Sequence, residues 1–222
     1  QEATDFYKQH YGASNLIVAL VGDVDPNTVI PMAETYFGRL PAGVPSEPIE
    51  TVEPMQDAER KSTIYGQSQR IAVIGYHKPA GTSPDEPAYQ AMTSLLSDGR
   101  TSRLYRALIR DKQLAADAGG FSGFPGQKYP NLFLFYGFTT PGHTNDEVLA
   151  AMDVEIEKLK NEPVSTEELD RVKAKAKASL IQALSNNQGM ATQLAQQEAL
   201  TGDWRDLFTE IDKINAVTPA DI

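Results

Sequence analysis

Apolar positions along this chain fall into two rhythms. At helical spacing, Leu104, Leu108 and Ile109 form one stripe of the segment Gly99–Leu114, while Arg103, Arg106 and Arg110 lie largely off it. Gly99 is a breaker, and Thr101 or Ser102 is placed to cap the helix that follows. Phe6, Tyr7 and Tyr11 give an opening helix over Glu2–Tyr11 a similar stripe, ended at Gly12. Asp25-Pro26 opens a helix carrying Val29, Met32, Ala33, Tyr36 and Phe37, closed by Gly38, with Pro31 inside the pattern as a kink or a delayed start. Ser83-Pro84-Asp85-Glu86 reads as a capping box for a helix through Leu96. Asn145–Asn161 is amphipathic. Ser165-Thr166-Glu167-Glu168 is a second capping box, opening a long helix with Leu169, Val172, Ala176, Leu180 and Leu184 on one stripe. Asn186–Gly189 breaks it, another helix runs to Leu200, and Trp204–Ile214 closes the domain.

The second rhythm is that of strands. Asn15–Val21 is a nearly unbroken run of branched apolar residues bounded by Gly22-Asp23, which predicts a buried strand. Ser62–Tyr76 predicts one or two strands, with Ile71–Tyr76 the clearer. Ala115–Phe124 and Asn131–Thr139 predict a hairpin joined through Pro125–Pro130. Pro41–Pro54, with Pro41, Pro45, Pro48 and Pro54, reads as an extended crossing segment. The strand-like material on either side of it argues for a single domain over 1–222. The order of elements implies an α/β fold: a two-layer sandwich in which helices cover a mixed sheet.

Composition narrows the function. The 222 residues carry 20 basic and 30 acidic side chains, a net charge of −10, so a phosphate backbone is repelled and nucleic acid is an unsuitable partner. No apolar run is long enough to span a bilayer. There is no cysteine, which removes disulfides, thiolate catalysis and Cys-based metal sites. The three histidines, His10, His77 and His143, have no second His or carboxylate at ligand spacing on one element, so the chain offers no metal site of its own.

The remaining motifs read as structure. Gly120, Gly123 and Gly126 lack the Lys-Ser/Thr of a phosphate cradle and suit the turns and bulges of a hairpin. Arg171, Lys173, Lys175 and Lys177 diverge around a helix axis, and Glu167 and Glu168 sit at pairing distance from Arg171. Asp85 and Glu86 sit where caps are wanted, and with Asp98 they make a poor acid/base pair.

Several stretches taken together resemble the insulinase/pitrilysin family of zinc metallopeptidases. They are Asp5–Asp23 (DFYKQHYGASNLIVALVGD), Tyr36–Pro41 (YFGRLP), Gly99–Tyr105 (GRTSRLY) and the ending Ile214–Pro219. The resemblance spans nearly the whole chain and points to the family's second, non-catalytic domain. It implies a sandwich whose copies pair as clam-like halves around an unfolded peptide. It also implies zinc held by a His-x-x-Glu-His helix, which is absent here and expected upstream of Gln1, in the same parent chain or in a partner subunit of the family. Both ends of the sequence read as cut, Glu2–Tyr11 as a helix already under way and Thr218-Pro219-Ala220-Asp221 as the start of another, and a periplasmic or other bacterial setting, with possible homo-oligomers, fits the resemblance. Some copies of this domain carry an Arg and, about seven residues on, a Tyr that bind the substrate backbone. Arg110 matches the Arg, whereas the Tyr position falls in Ala115-Ala116-Asp117. The expected role is therefore to enclose and position peptide, with Arg110 as the substrate contact. The alternative within the same resemblance is an assembly scaffold without proteolysis.

Overall fold

The computed structural model describes residues 1–45, 49 and 52–222; residues 46–48, 50 and 51 of the expected Pro41–Pro54 crossing segment lie outside the described residues. The helices are α1 (Glu2–His10), α2 (Pro26–Phe37), α3 (Glu86–Ser97), α4 (Asn145–Asn161), α5 (Thr166–Leu184), α6 (Asn187–Thr201) and α7 (Glu210–Ala216). Short 3-10 turns occupy Ala13–Asn15 and Trp204–Thr209, and Tyr105–Asp111 winds as a π-helix. The strands are β1 (Ile71–Lys78), β2 (Ala115–Phe124) and β3 (Asn131–Thr139), in the order β1-β3-β2.

The α/β layering expected from the sequence is what the chain adopts, and both strand pairings are antiparallel. β3 is central, and its side chains alternate between buried and half-buried along the whole strand, the pattern of a strand with one covered face. Phe133 and Phe135 point into the core, and helices lie on that side. A Cβ at Gly137 would stand 2.7 Å from Val148 and 2.8 Å from Met152, so the missing side chain is what lets α4 approach β3. Leu95 and Leu96 of α3, Leu104, Leu108, and Leu169 and Val172 of α5 complete one contiguous cluster. Each such side chain contributes about 1.5–3 kcal/mol on burial. The opposite face of the sheet is open, with Ile71, Val73, Phe121 and Phe124 exposed.

Several caps fall where the sequence puts them. Ser165 caps α5 through the Glu168 amide, and Asn186 ends the α5 run and caps α6 through Gly189. Thr144 and Glu147 form a full capping box on α4 that the sequence reading did not single out. Three expectations change, and that of one or two strands in Ser62–Tyr76 narrows to one. Asn15 closes a 3-10 turn, and Leu16–Val21 runs on without a strand partner among the described residues, with Leu16, Ile17, Val18 and Leu20 between 42% and 55% exposed. Ser62–Tyr76 yields one strand, starting at Ile71. The helix after Gly99 starts without a side-chain cap and winds wide, its Lys112 amide reaching back five residues to the Ala107 carbonyl. Thr218–Asp221 is a turn held by the Asp221 carboxylate on the Thr218 amide and hydroxyl, instead of a helix start.

One reason covers the first two outcomes. Among the described residues every buried side chain lies at Ala72 or beyond, and neither α1 nor α2 buries a residue. A strand needs both a ladder partner and a covered face, and Leu16–Val21 is given neither.

Candidate functional site

Arg110 sits in the last turn of the π-helical segment, where Leu108 is buried and the arginine points outward. Its guanidinium is engaged at once by its neighbour: Nε donates to Asp111 Oδ1 at 2.6 Å and Nη2 to Oδ2 at 3.0 Å. This two-point hydrogen bond is the main cause that lowers the Asp111 carboxyl below its ordinary pKa and raises Arg110 further. Both groups are exposed, so the pair is oriented but accessible. In the expected phenol position, Ala115 is buried, while Ala116 and Asp117 are exposed. A phenol does reach this place from the neighbouring strand: the Tyr136 hydroxyl donates to Asp117 Oδ2 at 3.4 Å. Its ring lies over Gly119, where a Cβ would be 3.2 Å from the hydroxyl oxygen. Partial burial, followed by the Asp117 charge, pushes the Tyr136 hydroxyl above its usual pKa, so it remains a donor at neutral pH.

The three histidines make separate local contacts. His10 packs at a tilt against Phe6 on α1. His77 meets Gln56 at 3.1 Å and Glu53 at 3.8 Å, and His143 lies 3.5 Å from Glu147. Among the described residues no three His, Cys, Asp or Glu side chains converge as metal ligands. The donor set therefore does not fit a catalytic zinc. No helix among the described residues is long and apolar enough to cross a membrane. Gly120 and Gly123 lie in β2, where the register shifts between Ser122 and Phe124, as hairpin glycines do. Of the basic run, Arg171 lies 3.8 Å from Glu167, and Lys175 pairs with Asp98 at 3.3 Å.

Sequence reasoning missed one ionic centre. Glu86 does not close a capping box. Its Oε2 accepts from Lys78 Nζ at 2.5 Å, with both side chains almost wholly buried, and the Lys78 ammonium stands 5.0 Å from the Tyr89 ring centre. Ser122 Oγ donates to the other carboxylate oxygen at 3.5 Å. The available signal was a lysine ending an apolar strand eight residues before an acid at a helix start, a spacing that only the fold converts into contact. A second pair, Arg103 Nη2 to Glu168 Oε2 at 3.1 Å, ties the start of the π-helical segment to the cap of α5. Burial alone would raise the Glu168 carboxyl, but the hydrogen bond and charge of Arg103, with Ser165, outweigh it and lower the pKa.

Beyond these pairs lies a groove of about 1320 Å³ between the loop at Gly81–Pro84, the first turn of α3, α6 and α7. Glu86 forms part of one wall.

Comparison with known proteins agrees with this architecture. Residues 1–176 match the model of the peptidase M16 inactive domain. The zinc protease PqqE of Helicobacter pylori is 29% identical over 191 residues, covering 84% of this chain and 42% of that protein. The crystal structure of a protease from Helicobacter pylori superposes with a TM-score of 0.80 at 26% identity, covering 90% of this chain and 49% of that one. A peptidase M16 inactive domain from Pseudomonas fluorescens shares the fold, with a TM-score of 0.77 at 22% identity over 98% of this chain and 51% of that one. The chain thus spans about half the length of the curated relatives it matches. By this match and this fold, the chain belongs to the family of peptidase M16 inactive domains.

Proposed function

We propose that this chain is the non-catalytic part of a zinc metalloendopeptidase and helps enclose and position a peptide for a zinc domain carried by the parent protein or a partner subunit. The observation that carries the reading is the exposed apolar stretch Leu16–Val21, flanked by helices whose own large apolar side chains, such as Phe6, Ile30 and Phe37, are also exposed. Such a surface suits a permanent partner, because it loses about 25 cal/mol of stabilisation for every Å² left in water. In this reading the zinc domain covers that stretch, and zinc belongs to that domain alone. Arg110 is the residue assigned to the substrate: it reaches a peptide carbonyl while Asp111 holds its plane.

The test is reconstitution. The chain alone is expected to show no chelator-sensitive peptidase activity. Mixed with the zinc-bearing part of its parent, it is expected to form a complex and to raise cleavage of an unfolded peptide. Arg110→Ala is expected to weaken peptide binding in that mixture about five- to tenfold, the loss of one charge-assisted hydrogen bond. Zinc-dependent hydrolysis by the chain alone would contradict the proposal. Complex formation with no gain in cleavage would favour the scaffold reading instead.

A further inference from the structure

We infer that the groove beside α6 is a binding site for an extended, uncharged stretch of polypeptide, held through its backbone by glutamine amides. The inference rests on the peptide-handling part of the reading above but assigns a site that the reading does not use. Gln193, Gln196 and Gln197 on α6 face Gln90 on α3 and Gln127 beyond the β2 end across the groove. Residues three and four apart share a helix face, so the α6 amides form one row. Each side-chain amide carries a donor and an acceptor, the same pair that a peptide group presents. Among the described residues, the glutamines whose side chains hydrogen-bond within the protein are Gln1 and Gln56, and neither lines the groove.

Charge and shape select the ligand class. Glu86 is met by Lys78 and Glu210 by Lys213 at 2.9 Å, and the other two charged groups, Asp206 and Lys128, are of opposite sign. The groove is thus near neutral in a protein of net charge −10, so it favours neither a polyanion nor a polycation. Its floor is apolar, from Leu180, Leu200, Ile211 and Ile214. No aromatic ring lines it, so nucleobases and sugar rings lack a stacking partner. At about 1320 Å³ and open on one side, it exceeds the usual small-molecule site of about 300–1,000 Å³ and suits a segment of a polymer.

The experiment titrates the chain with a short, end-capped, fluorescein-labelled peptide of Gly, Ser, Thr and Leu. Comparators are the same peptide N-methylated at alternate amides, maltoheptaose, and oligo-dT. Saturable binding of the first peptide is expected, weakened about tenfold by N-methylation and about tenfold by the double variant Gln193→Leu/Gln197→Leu. Gln188→Leu, on α6 but outside the groove, is expected to leave binding unchanged. Equal binding of the N-methylated peptide, or equal competition by maltoheptaose or oligo-dT, overturns the assignment. So does a folded double variant that binds normally; if that variant does not fold, the N-methylated peptide decides the matter. Loss of the probe by a chain that still stimulates the zinc-bearing part sinks the groove alone. Probe binding by a chain that never stimulates it sinks the functional reading alone.

Discussion

Leu132–Tyr136 and Leu16–Val21 are apolar runs of similar length, yet they end in opposite states. The first is the middle of β3, paired on both sides and covered by α3 and α4, with Phe133 and Phe135 at 5% and 2% exposure. The second has no strand beside it among the described residues and leaves most of its side chains in water. Hydrophobicity sets the wish for burial, but a ladder and a facing layer grant it. The difference places the chain's folded core at Ala72 and beyond and most of its unmet apolar surface before Ile71.

That contrast can be broken most forcefully in the core. Phe135→Ala is expected to cost about 3–5 kcal/mol in denaturant unfolding, since a buried ring is removed from a packed cluster. Lys78→Met is expected to cost a similar 3–5 kcal/mol or so, by leaving the Glu86 carboxylate buried without its partner. The double variant Lys78→Met/Glu86→Leu is expected to recover most of that loss in the same measurement, because neither charge then remains to be desolvated. Gly137→Ala is expected to cost about 1–3 kcal/mol, by pushing α4 off β3.

Smaller effects sharpen the comparison. Glu168 has a folded pKa below its unfolded value, so its contribution is present above the ordinary glutamate pKa of about 4.3 and is lost as pH falls through the folded value. Arg103→Met is expected to remove about 1 kcal/mol at neutral pH and to flatten the acid limb of the stability curve. At the other extreme, Val18→Ser in the chain alone is expected to shift stability by less than about 0.5 kcal/mol, although valine is among the most buried residue types. A loss comparable with that of Phe135→Ala would erase the distinction between the two runs.

The helices after Ser83 and the hairpin were legible because their stripes are local, as the caps at Ser165 and Asn186 also are: Leu169 and Val172 meet the core as their spacing demands. Leu16–Val21 misled because its composition is that of a strand, while among the described residues no second strand lies beside it. The π-helical winding of Tyr105–Asp111 was illegible for a related reason, since the Leu104 and Leu108 stripe suits an α-turn equally well. Arg110 could be singled out by resemblance, but its bond to Asp111 could not, because adjacent residues on an ideal helix do not face each other. The Lys78–Glu86 pair and the glutamine groove need strands and helices brought together before they exist at all.

Hydrogen exchange at the amides of Ile17–Val21, measured on the chain alone and again with the zinc-bearing part of its parent, separates an apolar run left without a ladder from a buried strand. Near-unprotected exchange is expected in the chain alone, and slowing of about a hundredfold or more in the complex, as the stretch gains a ladder partner. Strong protection in the chain alone, or none in the complex, would show that this run is not the surface the zinc-bearing part covers.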